Sequence, residues 1–143
     1  KDMFAAQRCI IPMDGFFEWK KAKNKSQPFY FKLMDSRPAA FAGLWKAGKG
    51  ENAIQECAII TCPANDVVGR IHDRMPVILD KNLQRIWLDD KTPRETLLLL
   101  LQSYASEKMI SYAVSPQVNK AAYNSPEGIL PSTTIGEQLG LNF

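Results

Sequence analysis

Between residues 9 and 62 the chain alternates short apolar runs with polar punctuation. CIIPMDGFFEWK, PFYFKLMD, AAFAGLWKAG and AIQECAIITC are rich in β-branched and aromatic residues, the composition a strand favours. KNKSQP, DSRP and GKGEN lie between them, and their Gly, Pro, Asn and Ser content marks turns. FYFKL and FFEW alternate with period two, which turns one face to a core and sets Glu18 on the same face as Phe16. After Pro63, PANDVVGR reads as a short helix or turn, and MPVIL returns to strand. KNLQRIWL, 81–88, places Leu83, Ile86 and Trp87 at helical spacing behind Asp80 as a cap. Thr92, Pro93, Arg94 and Glu95 form a capping-box pattern with proline at the first helical position, predicting a helix through Ser103. MISYAVS predicts a last strand, and the Pro- and Gly-punctuated tail from Pro116 an ordered meander. Met3, Phe4 and Ala6 ahead of Arg8 read as the last turns of a helix already under way, so a segment is expected before Lys1. The sum is an α+β fold: a mixed, mostly antiparallel sheet with a few short helices in a single domain over 1–143.

Composition narrows the classes. A chain of 143 residues with 45% hydrophobic and 23% charged residues is ordinary for one globular domain. The leucine run at 97–101 falls far short of the ~20 residues a membrane span needs, and no secretory signal is visible. The three cysteines, Cys9, Cys57 and Cys62, make no CxxC pair, and His72 is the one histidine, so neither a zinc site nor another metal or cofactor is expected. An odd cysteine count without a signal favours reduced thiols in a cytoplasmic or nuclear setting, acting as small apolar core residues. The net charge of +3 permits a nucleic-acid partner without demanding one. Lys20, Lys21, Lys23 and Lys25 concentrate it; they read first as a solvated loop and, as the alternative, as a landing site for phosphate.

Two residues carry candidate chemistry. His72 in IHDRMPVIL stands beside Asp73, which can hold an imidazole tautomer, and Arg74, which can clamp a phosphate. Read alone, it is either a structural histidine or a proton-transfer group. Glu18, between Phe17 and Trp19, is either an exposed strand carboxylate or one whose partly apolar face raises its pKa into the range of a general acid or base. Trp19 and Trp45, with Phe17 and Tyr30, are core residues or stacking faces for unpaired bases. Asn65 and Asn119 are expected in turns or loops. No G-x-S-x-G nucleophile elbow is present.

RCIIPMDGFFEWK, PFYFKLMDSRPAAFAGLW, AIITCPANDVVGRIHDRMPVIL and VSPQVNKAAYNSPEGIL, in this order, resemble the SRAP family, the SOS response-associated peptidase proteins, from Arg8 to about Pro131. The resemblance implies a compact domain around a curved sheet that senses abasic sites in single-stranded DNA. In that family an N-terminal cysteine attacks the open-ring aldehyde; its amine forms a Schiff base and its thiolate closes a thiazolidine. By motif, Glu18 assists ring opening and proton transfer, His72 contacts the sugar and assists the same steps, and Arg74 holds backbone phosphate. Thr61 lies in the site, and Trp19 contacts DNA. The chain departs from the pattern in lacking an N-terminal Met-Cys and the asparagine and arginine motif ahead of RC. Cys9 has no free α-amine and cannot substitute. The chain therefore reads as the C-terminal two thirds of a family member, holding the acid/base half of the site without the nucleophile. Two other readings stay open: a non-catalytic module binding single-stranded or modified DNA, and a thiol autopeptidase. No membrane partner is expected; sequence does not set the oligomeric state, and a monomer is the default.

Overall fold

The computed structural model describes residues 2–21, 26–48, 50 and 55–132, so Lys23, Lys25, part of GKGEN and the end of the tail lie outside the described residues. The apolar runs become strands β1 (Arg8–Met13), β2 (Phe16–Lys20), β3 (Gln27–Leu33), β4 (Ala39–Lys46), β5 (Glu56–Ile59), β6 (Thr61–Pro63), β7 (Arg74–Pro76), β8 (Ile78–Leu79) and β9 (Met109–Ala113). Helices α1 (Met3–Ala6), α2 (Lys81–Leu88) and α3 (Arg94–Leu99) are short, and the class is α+β. One sheet runs β1-β4-β5 with β8 also on β4, a second runs β2-β3-β9, and β6 pairs with β7 as a ribbon. Every described ladder is antiparallel.

β4 divides one edge between two partners: Gly43 to Lys46 pair with β5, while Ala40 and Phe41 pair with β8. At the changeover Ala42 N–H donates to the Val77 carbonyl, Val77 N–H to Ile60, and Ile60 N–H to Ala42, each at 2.9 Å. Beyond that junction the chain leaves the sheet as the β6–β7 ribbon. Its tip, residues 64–73, is closed by Ala64 N–H donating to the Asp73 carbonyl at 2.9 Å. The loop carrying His72 is thus an extension of the sheet itself.

The two larger sheets meet through aromatics. Phe16 stacks on Phe31 with centroids 5.1 Å apart and meets Phe41 edge-on at 5.9 Å. Below them Met75, Val77, Leu79 and Trp87 are fully buried. The β1–β2 corner needs Gly15: a Cβ there would stand 2.2 Å from the Tyr30 ring and hydroxyl and 2.6 Å from the Phe31 carbonyl, so no larger residue fits.

Asp80 caps α2, its carboxylate accepting from Asn82 and Leu83 N–H at 3.1 and 3.0 Å. The buried Trp87 donates its indole N–H to the Cys9 carbonyl at 2.9 Å, tying α2 to β1. Arg8, its side chain 4% exposed, donates to the Trp87, Phe4, Ala5 and Asp89 carbonyls at 2.7 to 3.0 Å. It thereby joins α1, β1 and the end of α2.

Four expectations need correction. α1 is a single turn opened at Met3 by the Asp2 carboxylate, which accepts from Phe4 N–H at 3.0 Å. The capping box does not form: Pro93 takes the cap position, and the Thr92 hydroxyl instead donates to the Ile86 carbonyl near the end of α2, at 2.8 Å. α3 stops at Leu99 rather than Ser103, because one helix face cannot bury five consecutive leucines; Leu97 is buried, and the chain turns so that Leu100 and Leu101 pack on the core. Of the cysteines, Cys62 is buried and Cys9 half-buried, but Cys57 is exposed, since β5 is exposed along its length. The tail forms two 3-10 turns, Pro116–Asn119 and Pro126–Ile129, each capped by the preceding serine. Among the described residues no helix is long and apolar enough to cross a membrane.

Candidate functional site

Glu18 sits in the middle of β2, opposite Phe29 of β3. Phe16 and Glu18 point one way, Phe16 onto the core; Phe17 and Trp19 point the other, where Phe17 packs on Tyr30 at 5.2 Å. Glu18 is half-buried. Burial pushes its carboxyl above the ordinary range, while the charge of His72 and a backbone hydrogen bond pull it partly back. The imidazole is therefore close enough for the carboxylate to feel its charge, although 54 residues separate the two in sequence.

His72 reaches this position from the ribbon tip. Val67 precedes a 3-10 turn, Val68–Arg70, and His72 N–H donates to the first carbonyl of that turn, Val68, at 3.0 Å. The ring nitrogen Nδ1 lies 3.1 Å from both the N–H and the carbonyl of Arg74, and 3.4 Å from a carboxylate oxygen of Asp73. An unprotonated Nδ1 accepts from the Arg74 N–H; a protonated one donates to the Arg74 carbonyl or to Asp73. Nδ1 thus has a partner in both states, and among the described residues Nε2 of the side chain, 41% exposed, has none.

Arg74 and Thr61 form one unit across the β6–β7 ladder. The guanidinium donates to the Thr61 carbonyl at 2.6 Å and to its hydroxyl at 2.9 and 3.3 Å, through Nη2 and Nε. This fixes the direction of an exposed guanidinium, whose Nη1 has no partner among the described residues. Trp19 stands apart from these four on the opposite face of β2. Its indole N–H donates to the Asn119 amide oxygen at 2.6 Å, and its ring, 39% exposed, borders a shallow open depression with Ser26 and Val118. Glu18 thus feels the charge of His72; Arg74 and Thr61 are joined on the ribbon beside His72, and Trp19 lies on the face of β2 opposite Glu18.

Asn65 is more than the loop residue expected from sequence. Its amide oxygen accepts from Val67 and Val68 N–H at 3.1 and 3.0 Å, and its amide nitrogen donates to the Tyr104 carbonyl at 2.7 Å. Asn119 likewise links Trp19 to the Ser26 carbonyl. A separate cavity lies between the β3–β4 turn, the start of α2 and Tyr104, and is lined by Asp35, Arg37, Asp80 and Gln84 among others. None of Glu18, His72, Arg74 and Thr61 lines it. Among the described residues no three of His, Cys, Asp and Glu stand together as a metal site.

The family model for SRAP, SOS response associated peptidase, matches residues 1–121. The abasic site processing protein YoqW of Bacillus subtilis is 44% identical over 127 residues, covering 85% of this chain and 56% of its own. The abasic site processing protein HMCES of Xenopus tropicalis is 30% identical over 147 residues, covering 87% of this chain and 43% of its own. This chain thus spans about half the length of the curated relatives it matches. A solved protein of Bacteroides thetaiotaomicron superposes with a TM-score of 0.82 at 25% identity, covering 92% of this chain and 59% of that one. A phage-related protein of Bordetella bronchiseptica superposes at 0.63 with 31% identity, covering 78% of this chain and 55% of that one. With the model matched over most of its length and its fold shared with these proteins, the chain belongs to the SRAP family.

Proposed function

We propose that this chain supplies the acid/base half of a site that captures abasic lesions in single-stranded DNA. The observation that carries the reading is that Glu18, on β2, feels the charge of His72, on the ribbon loop, while burial raises the carboxyl. The names of the relatives, abasic site processing proteins, supply the substrate.

In the ring-closed lesion the C1′ hydroxyl must lose a proton and the ring oxygen must gain one as the C1′–O4′ bond breaks. Glu18, made more basic by burial, takes the first; His72, with Nδ1 backed by Arg74 and Asp73, gives the second from Nε2. The aldehyde then condenses with the amine of an N-terminal cysteine, releasing water as the imine forms, and the thiol adds across the imine carbon to close a thiazolidine. That cysteine is not part of this sequence. Arg74, held by Thr61, receives a flanking phosphate, and Trp19 offers a stacking edge to a neighbouring base.

The test supplies the nucleophile in trans. Single-stranded DNA with one abasic site is incubated with free cysteine, with and without the chain, and thiazolidine formation is followed by mass. The chain accelerates the reaction, and Glu18→Gln or His72→Ala each reduces the acceleration by about tenfold or more. The chain alone yields no gel-stable adduct. Unchanged rates in both variants, or a covalent adduct from the 143 residues alone, refute the assignment. Tight, salt-sensitive binding of undamaged strands without acceleration favours a binding module instead.

A further inference from the structure

We infer that Asn65 is the positioning residue for His72: its side chain builds the loop that delivers the imidazole and anchors that loop to the body of the protein. The inference deepens the reading above and rests on it only for the chemical consequence.

The loop 64–73 must turn through ten residues and present His72 at a defined height above β6 and β7. Its own backbone gives limited support. Ala64 N–H to Asp73 closes the base, and Gly69 N–H donates to the Asn65 carbonyl at 2.7 Å. Ile71 and His72 N–H both donate to the Val68 carbonyl, and Asp66 N–H donates to the Ser106 hydroxyl at 3.2 Å; the turn that presents Val68 is itself held by the Asn65 amide. Its oxygen takes the Val67 and Val68 N–H groups, which a three-residue 3-10 turn would otherwise leave without acceptors. Val68, fully buried, then offers its carbonyl to His72 N–H at 3.0 Å. The chain of contacts runs from the Asn65 amide oxygen through Val68 to the His72 backbone.

The amide nitrogen does a second job. It donates to the Tyr104 carbonyl at 2.7 Å and lies 3.2 Å from the Met109 sulfur, joining the loop to the segment that leads into β9, 39 and 44 residues away in sequence. β9 is a neighbour of β3, and β3 pairs with β2, which carries Glu18. One side chain therefore spans the ribbon that holds His72 and the sheet that holds Glu18. Asparagine carries, on two separate arms of its amide, an acceptor for two N–H groups and a donor for a carbonyl; aspartate lacks the donor, leucine both.

The single histidine makes the test direct, since its ring signals need no assignment. Ring nitrogen shifts of His72 are recorded by NMR in the chain as it stands and in Asn65→Ala and Asn65→Asp, with the Trp87 indole N–H signal reporting an intact fold. In Asn65→Ala the ring shifts move towards those of the chain in urea while the Trp87 signal stays in place. Asn65→Asp, which keeps the turn and loses the anchor, lies between the two. Wild-type ring shifts in a folded Asn65→Ala protein overturn the inference; where Asn65→Ala fails to fold, wild-type shifts in Asn65→Asp do so. The free-cysteine assay then separates the two readings. A displaced ring with acceleration down about tenfold or more supports both. A displaced ring with unchanged acceleration supports the positioning role and removes His72 from the chemistry.

Discussion

Glu18 is held where an ionised carboxylate is disfavoured, and that has a stability signature. Burial raises its folded pKa above the ordinary 4.5, and the charge of His72 only partly offsets the rise. Below 4.5 the group is protonated folded and unfolded, and its contribution to stability is fully present. As pH rises through the raised folded value, the unfolded chain ionises more readily and that contribution is lost. Glu18→Gln should therefore match wild type in acid and become the more stable of the two towards neutral pH, read as denaturation midpoints across a pH series. Equal midpoints throughout would place Glu18 in ordinary solvent. Alternation in FFEW already told which way this residue faces; what it could not tell is the identity of the charged neighbour, since His72 arrives from another element. Asn65 is a sharper case, because nothing local distinguishes an asparagine that ends a strand from one that ties a loop to Tyr104.

At the scale of elements, the joints are side chains bonded to carbonyls. Arg8 bonds four of them, at Phe4, Ala5, Trp87 and Asp89, from an almost fully buried position. Arg8→Met keeps much of the length but leaves those carbonyls without a donor, and should lower the unfolding free energy by about 3 kcal/mol. Arg8→Lys should recover only part, because an ammonium cannot fork between α1 and the end of α2. Chemical denaturation compares the three, and full stability in Arg8→Met would show that water satisfies the carbonyls. The strands and α2 were legible because their patterns are local: β-branched runs between turns, and Asp80 ahead of Leu83, Ile86 and Trp87. The start of α3 was not, since Thr92 serves the preceding helix rather than its own, a choice made by the proximity of Ile86. Its end was not legible either, because only the tertiary core decides which of five leucines turns inwards.

For the whole molecule, the proposed site draws on more than one sheet. Glu18 belongs to β2-β3-β9; His72, Arg74 and Thr61 belong to the ribbon that grows out of the β4 sheet. The contact between these bodies nearest to Glu18 in sequence is Phe16, stacked on Phe31 of its own sheet and edge-on to Phe41 of the other. Such a junction should set both stability and the carboxyl's environment. Phe16→Leu should cost about 1–2 kcal/mol and, by loosening the approach of the sheets, let water reach Glu18, lowering its titration midpoint towards an ordinary carboxylate. Phe17→Leu is the control: one residue closer to Glu18 but on the opposite face, against Tyr30, it should also destabilise yet leave the midpoint in place. Carboxyl carbon NMR across pH in both variants decides the matter. A midpoint that follows stability in both would mean general loosening, whereas a shift confined to Phe16→Leu would show that the inter-sheet contact tunes the site.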